Sequence, residues 1–542
     1  MLEKIILNDI LIKNHKISLK YQTEALHMIK NIRLSLQDIA GKEYITQVID
    51  AAAKFGFGDT ADLQKTAEEK VDFFPESFAR KLDDLLEYTG KPFSGTFHNS
   101  ASGAGSAAFD QALHKEMAPL AALGCFRAGE NGKLAVAGKS EHYQASLGHN
   151  FPGYKLLHHA SLLGITNLTH NNTRGHLTRL LERELVRCAN GIAPGDESAV
   201  DRVIASTEPH TLNRVINLET GSLACEAAFK MMLSRFYKLQ NHFDPPVYSG
   251  KIPVFLVMAD YQGGREANYH GTTIFTQMLR GMWGELYEAM EKAGLIKAVG
   301  VKINDWDNFR ETVEKYDQAD TKVAGFIHEL VLMNYGGIRL QNEYLHRCHQ
   351  LCAQRDIPVF VDEIQSCMWS PQIFLFKDYG LKPDFVSVGK GFPGGMYPAS
   401  KILTTPQMDN LNLFGALVTN GQEELASLAN LITLRFAEAN AEHTAQINKL
   451  WQEKIHALAE KYPQDITNVE GDGLLTALFF ADAERTVEFC KAVNAAGVDI
   501  SAQTYKAYCP PAALLKLPLI SSEKLIGKVI SIMDQVLDGK GN

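Results

Sequence analysis

From about residue 175 onward, short β-branched and aliphatic runs alternate with longer stretches of helical periodicity. The runs are RVINL (214–218), IPVFLVMA (252–259), KAVGVKI (297–303), KVAGFIHEL (322–330), IPVFVDEI (357–364), DFVSVG (384–389) and PASKILTT (398–405). A strand with one wet face alternates apolar and polar residues, and these runs are apolar almost throughout. Near-continuous apolar runs spaced by helical segments predict a mainly parallel sheet with helices on both faces. HLTRLLERELVRCA (176–189), EELASLANLITLRFAEA (423–439) and SSEKLIGKVISIMDQVL (521–537) predict helices, the last an amphipathic closing one. The chain ahead of residue 90 has a different texture. Ala25, Ile29, Ile32, Leu36 and Ile39 recur at helical spacing, and Gly41 follows as a stop. Pro75 opens a second helix carrying Phe78, Leu82, Leu85 and Leu86, closed by Gly90 and Pro92. SGTFHNSASGAGSAA (94–108) is small and polar, and reads as a loop or linker.

Sheets of this kind bind ligands beyond the carboxyl ends of their strands, so the residues just after each run are where chemistry is expected. Asp362 and Glu363 end one core strand, which is costly unless something positive or protonated meets them. Structural carboxylates bonded to backbone amides are the plainer reading. Lys390 ends the next strand between Gly389 and Gly391. It is either a surface lysine or a desolvated amine fit for Schiff-base chemistry, and glycines around it permit close approach of backbone or a flat ligand. Thr220-Gly221-Ser222 precedes a helix whose free N–H groups and dipole suit phosphate; alone it is a good N-cap. Tyr269, before His270 and Gly271, packs in a core or stacks on a planar ligand. An amine nucleophile, a carboxylate, a phosphate cradle and an aromatic lid together are the equipment for pyridoxal 5′-phosphate (PLP).

With these residues in view, the sequence resembles the class III aminotransferases of the fold-type-I PLP enzymes, from about residue 145 to the end. SLGHNFPGY (146–154), NLETGSLACEAAFK (217–230), YHG (269–271), IHELVLMNYGG (327–337) and TNGQEELASLA (419–429) are similar to family segments. IPVFVDEIQ and DFVSVGKGFPGG match its two most specific motifs. The resemblance implies a doubly covered α/β sheet and a smaller C-terminal α+β domain, while the helical N-terminal extension is expected from its apolar spacing alone and has no counterpart in the family. The chain is thus expected to divide into 1–140, 141–410 and 411–542. The resemblance also implies that Lys390 forms the Schiff base and carries protons, and that Asp362 pairs with the pyridinium nitrogen. Gln365 would reach the cofactor's phenolic oxygen, and Ile364 would pack on the ring opposite Tyr269. Gly221 and Ser222 would bind phosphate, Thr419 would do so across a homodimer interface, and Glu329 would stand on the substrate side. The implied activity is transfer of an amino group from an amine or amino acid to a keto acid. Decarboxylation, racemisation and aminomutase chemistry use the same imine, and a non-catalytic PLP-fold protein is the third reading. Three departures stand out. The arginine that usually clamps a substrate carboxylate is replaced within LLKLPLISSE (514–523), where Lys516 is the one cation. CMWSPQIFLF (367–376) stands where the family has a Gly-Arg-Thr-Gly run, which predicts a bulkier, more apolar wall. Thr272 stands where an arginine is common. Arg174, Arg265 and Lys516 are therefore the candidate carboxylate partners.

Composition narrows the partners. The chain of 542 residues carries a net charge of −9, which gives no electrostatic reason to bind nucleic acid or anionic membrane. No stretch approaches an apolar membrane span, and charges interrupt MLEKIILNDILIKNHK, so no signal-peptide core is expected there. Eight sparse cysteines predict a reduced, cytoplasmic protein. Cys348 and Cys352 lack the second ligand pair of a zinc site, and no metal is expected. SGAGSAA (102–108) has no strand before it, and GKLAVAGKS (132–140) misses the P-loop spacing, so neither reads as a nucleotide turn.

Overall fold

The computed structural model describes residues 29–139, 144–506 and 508–539. Its centre is a seven-stranded sheet of β1 (Arg214–Leu218), β2 (Ile252–Met258), β3 (Lys297–Val301), β4 (Thr321–His328), β5 (Val359–Asp362), β6 (Phe385–Val388) and β7 (Ser400–Thr404). The spatial order is β1-β7-β6-β5-β4-β2-β3. β7 runs antiparallel to both neighbours, and the pairs among β2 to β6 are parallel. All seven apolar runs of the sequence are therefore strands. Their cores, such as Val254 to Met258 and Phe385 to Val386, are fully buried, as two covered faces require. The helices His176–Ala189, Glu424–Ala439 and Glu523–Leu537 form where periodicity places them.

The smaller part holds a four-stranded antiparallel sheet of β8 (Ile466–Asp472), β9 (Leu475–Phe480), β10 (Ser501–Gln503) and β11 (Ala512–Leu515), in the order β8-β9-β11-β10. A three-stranded sheet of residues Pro119–Leu123, Phe126–Gly129 and Leu134–Val136 lies against it. The Val136 amide donates to Gly497 O at 2.8 Å, Asp499 N to Val136 O at 2.9 Å, and Lys516 N to Gly138 O at 2.7 Å.

The N-terminal extension corrects two expectations. The apolar spacing around Ile29 and Ile32 does not form a helix within the described residues, and Ala25 lies outside them. Arg33–Leu34 pairs as a strand with Val71–Asp72. The helix begins only at Leu36, because Ser35 caps it: the Asp38 amide donates to the Ser35 hydroxyl, and Asp38 accepts back from the Ser35 amide. Nor is the region before residue 140 wholly helical, since it contains the three-stranded sheet. Pro75 does open a helix, Glu76–Leu85.

Candidate active site

The strand ends converge on one cavity of about 400 Å³, within the usual range for small-molecule sites. Its lining includes Gly221, Ser222, Tyr269, Asp362, Ile364, Gln365 and Lys390, all named from sequence. Lys390 leaves β6 in a turn with φ +36°, an uncommon conformation for a side chain larger than glycine. The turn is tight on both sides. The Ser146 hydroxyl donates to Gly391 O at 2.5 Å, and Cβ atoms at Gly389 or Gly391 would run into Ser400 and the Trp369 ring. The glycines are thus required by packing around the lysine backbone. Burial disfavours the charged amine and lowers the Lys390 pKa, while Glu329 and then Asp362 pull it partly back. The Lys390 amine donates to Gln365 Oε1 at 3.3 Å, and Gln365 Nε2 donates to Glu329 Oε2 at 2.9 Å. Burial and the charge of Asp362 push the Glu329 carboxyl well above its ordinary range.

Asp362 ends β5 beside Ser387 in register. Its Oδ1 accepts from the Ser387 hydroxyl at 2.7 Å and the Ile364 amide at 3.1 Å. Its Oδ2 accepts from His270 Nδ1 at 2.7 Å and from the Cys225 thiol at 3.4 Å. Burial alone would raise this carboxyl, but the hydrogen bond and charge of His270, with Ser387 and the Ile364 amide, outweigh it and hold the pKa below the ordinary value. A carboxylate kept ionised in a buried site suits a protonated ring nitrogen. Sequence reasoning found Asp362 but assigned no role to His270, Ser387 or Cys225. Periodicity carries no signal for them, because they meet only through strand register and the docking of a helix.

Helix α1 (Gly221–Leu233) opens beneath the cavity with Thr220 as N-cap. Leu223 and Ala224 N donate back to Thr220 O, so the free donors of the first turn are those of Gly221 and Ser222. The neighbouring chain is built around this turn. A Cβ on Gly271, whose φ is +116°, would stand 2.5 Å from Ser222 Cα, and one on Gly221 would stand 3.0 Å from Ile364. Thr272 N donates to the Ser222 hydroxyl at 3.1 Å. Aimed amides, a buried ionised carboxylate, a desolvated amine and a slot lined by Tyr269 and Ile364 fit the phosphate, ring nitrogen, aldehyde and ring faces of PLP.

The three candidate carboxylate partners lie elsewhere. Arg174 pairs with Glu182 at 3.2 Å, in a separate cavity of about 210 Å³. Arg265 stacks 4.2 Å from the centre of the Tyr287 ring and donates to Ala298 O at 3.0 Å. Lys516 is fully buried, donates to Gln365 O and lies 3.5 Å from the centre of the Trp369 ring. None of the three lines the Lys390 cavity. The apolar residues of 367–376 are buried but pack behind the cavity rather than along it, because Trp369 is turned onto Gly391 and Lys516. Thr419 is exposed, and the adjacent Asn420 amide donates to the cavity residue Glu219 at 3.2 Å.

A family model, Aminotransferase class-III, matches residues 122–537. An acetylornithine aminotransferase of Aquifex aeolicus is 25% identical over 241 residues, which cover 44% of this chain and 58% of that protein. A putrescine aminotransferase of Pectobacterium atrosepticum is 27% identical over 197 residues, covering 35% of this chain and 42% of its own length. The chain thus matches little more than half the length of the first relative and less of the second. The solved structure of an adenosylmethionine-8-amino-7-oxononanoate aminotransferase from Methanocaldococcus jannaschii shares the fold. It superposes with a TM-score of 0.61 at 19% identity, covering 85% of this chain and 99% of that one. A match across most of the chain, on the fold of a solved aminotransferase, shows that the chain belongs to the class-III aminotransferases, a family that works with PLP.

Proposed function

We propose that the protein is a PLP-dependent aminotransferase that moves an amino group from an amine or amino acid to a keto acid. The observation that carries this reading is that Lys390 and Asp362, on adjacent strands, line one cavity with the first turn of α1. PLP bound there supplies an electron sink for the substrate carbon that carries the amine. The residues supply the rest. The Lys390 amine, whose charged form burial disfavours, takes a proton from that carbon and returns it. Asp362 holds a proton at the ring nitrogen, and His270 and Ser387 hold Asp362. Gly221 and Ser222 N–H groups bind phosphate, and Tyr269 and Ile364 confine the ring. Gln365 ties the lysine to Glu329 on the substrate side.

The donor we propose is a terminal amine, an ω-amino acid or a diamine. Among the described lining residues the charged ones are Glu219, Asp362 and Lys390, with no arginine to clamp a carboxylate beside the reacting amine. Two relatives, named for acetylornithine and putrescine, are in keeping with such donors. The test is a single-turnover half-reaction that compares a diamine, an ω-amino acid and an α-amino acid by the loss of the bound cofactor's visible band. Faster reaction with the α-amino acid would overturn the donor assignment. A reaction that releases CO₂, or leaves keto acid unconsumed as donor disappears, would favour the decarboxylase or racemase reading. We further propose a homodimer in which Thr419 serves the partner's phosphate, domains divided near residues 140 and 410, and a cytoplasmic location. Eight free cysteines support the location, and no helix of the described residues is long and apolar enough to cross a membrane. A fully active monomer in light scattering would overturn the dimer.

A further inference from the structure

An ionised carboxylate offers about four lone-pair positions, and all four on Asp362 are taken. Ser387 and the Ile364 amide fill Oδ1, and His270 and Cys225 fill Oδ2. A protonated ring nitrogen arriving at Asp362 therefore needs one of these donors to give way. Three are poorly placed to yield. Ser387 is buried within β6 and bonds at 2.7 Å, the Ile364 donor belongs to the backbone, and His270 bonds at 2.7 Å. The fourth is the Cys225 thiol, on the first turns of α1. It is the longest contact, at 3.4 Å, the weakest kind of donor, and it lines the same cavity as Lys390.

We propose that Cys225 is a positioning residue that acts as a stand-in donor: its S–H occupies the Asp362 Oδ2 lone pair until the cofactor's ring nitrogen takes it. The proposal rests on the PLP reading of the cavity. It explains how the last lone-pair position of a carboxylate only 4% exposed is satisfied before the cofactor binds. A weak donor serves because it must be displaced on every loading. The local chemistry keeps the sulfur a thiol. Burial and the neighbouring Asp362 charge raise its pKa well above the ordinary value, so it donates rather than repels the carboxylate.

The test uses full-length apoprotein, PLP, and two substitutions that act in opposite directions. Cys225→Val keeps an apolar side chain of similar reach but removes the competing donor. The carboxylate then waits with an open lone pair, and PLP should bind more tightly, by roughly fivefold, the worth of one ordinary net hydrogen bond. Cys225→Ser supplies a stronger donor to the charged oxygen, and PLP should bind more weakly by a similar factor. The apoprotein should melt lower for Cys225→Val than for Cys225→Ser. A direct readout is the infrared S–H stretching band, with Cys225 assigned by difference against Cys225→Ser. That band should shift when PLP is added to the wild type. Affinities that move the same way in both variants, or an S–H band indifferent to PLP, overturn the stand-in role while leaving the cofactor assignment intact. A wild-type protein that binds no PLP overturns the functional reading, and this one with it.

Discussion

Replacing Asp362 by Asn tests the site at its most constrained point. The substitution keeps size and shape but exchanges an ionised acceptor for an amide. One end can still accept from Ser387 and the Ile364 amide. The other end becomes an NH₂ group facing two donors, His270 Nδ1 and the Cys225 thiol. His270 must then present an unprotonated Nδ1, and the thiol loses its acceptor. Stranding one or two buried donors costs about 1–3 kcal/mol each, so the apoprotein should lose a few kcal/mol of stability. The catalytic loss is separate. A ring nitrogen that met a carboxylate now meets a neutral amide, and charge-assisted hydrogen bonds are worth about 1.5–3 kcal/mol. If that interaction strengthens as carbanion charge develops, kcat falls by about 10- to 100-fold from the hydrogen bond alone, at about 1.4 kcal/mol per decade. Loss of the protonated ring as electron sink comes on top of this, for a drop of several orders of magnitude. Cofactor should still bind through the α1 amides and Lys390. The assay is single-turnover loss of the cofactor band, with PLP affinity measured on the same preparation. A kcat within about threefold of wild type, less than half a decade on that scale, would refute the pairing of Asp362 with the ring.

Lys390→Ala should abolish multiple turnover; a steady-state rate equal to wild type would remove the lysine from the mechanism. Gly271→Ala places a Cβ 2.5 Å from Ser222 Cα at a φ of +116°, and backbone strain of about 1–3 kcal/mol should weaken PLP binding roughly tenfold; an equilibrium titration showing unchanged affinity would refute the cradle. Glu363 accepts from the Leu375 and Phe376 amides and the Ser366 hydroxyl in full burial, and burial raises its pKa to about 7. A carboxyl raised in the folded state binds a proton that the unfolded chain has released. Its contribution is therefore intact below the unfolded pKa of about 4.5 and is lost as pH rises to about 7, a change of about 3 kcal/mol. Melting of the wild type should fall across that window more steeply than melting of Glu363→Gln, and parallel curves would refute the assignment.

What the sequence determined by itself is what depends on local pattern. The seven sheet strands are legible because two covered faces demand mainly apolar residues along each strand, and the run boundaries fall within a few residues of the strands. Lys390, Asp362 and Gly221-Ser222 are legible because polar or flexible residues at the end of a buried strand need a reason. Patterns failed where the chain is stabilised by distant partners. The short strands from Pro119 to Val136 pair with one another and hydrogen-bond to residues near 497 and 516, and no periodicity ahead of residue 140 announces that. Arg33–Leu34 is a strand only because Val71–Asp72 lies beside it, although its apolar spacing suits a helix. The same limit applies inside the site. The Asp362 carboxylate is tuned by Cys225 on α1, His270 on a loop and Ser387 across a register pair, residues 137, 92 and 25 positions away. Arg174, Arg265 and Lys516 are all cations in suggestive stretches of sequence, but the fold spends each on Glu182, Tyr287 or Trp369. Which side chains stand near the strand ends follows from hydrophobic pattern. Which of them face one another is decided by strand register and helix docking, because hydrogen bonds and ion pairs act over a few ångströms in space whatever the separation along the chain.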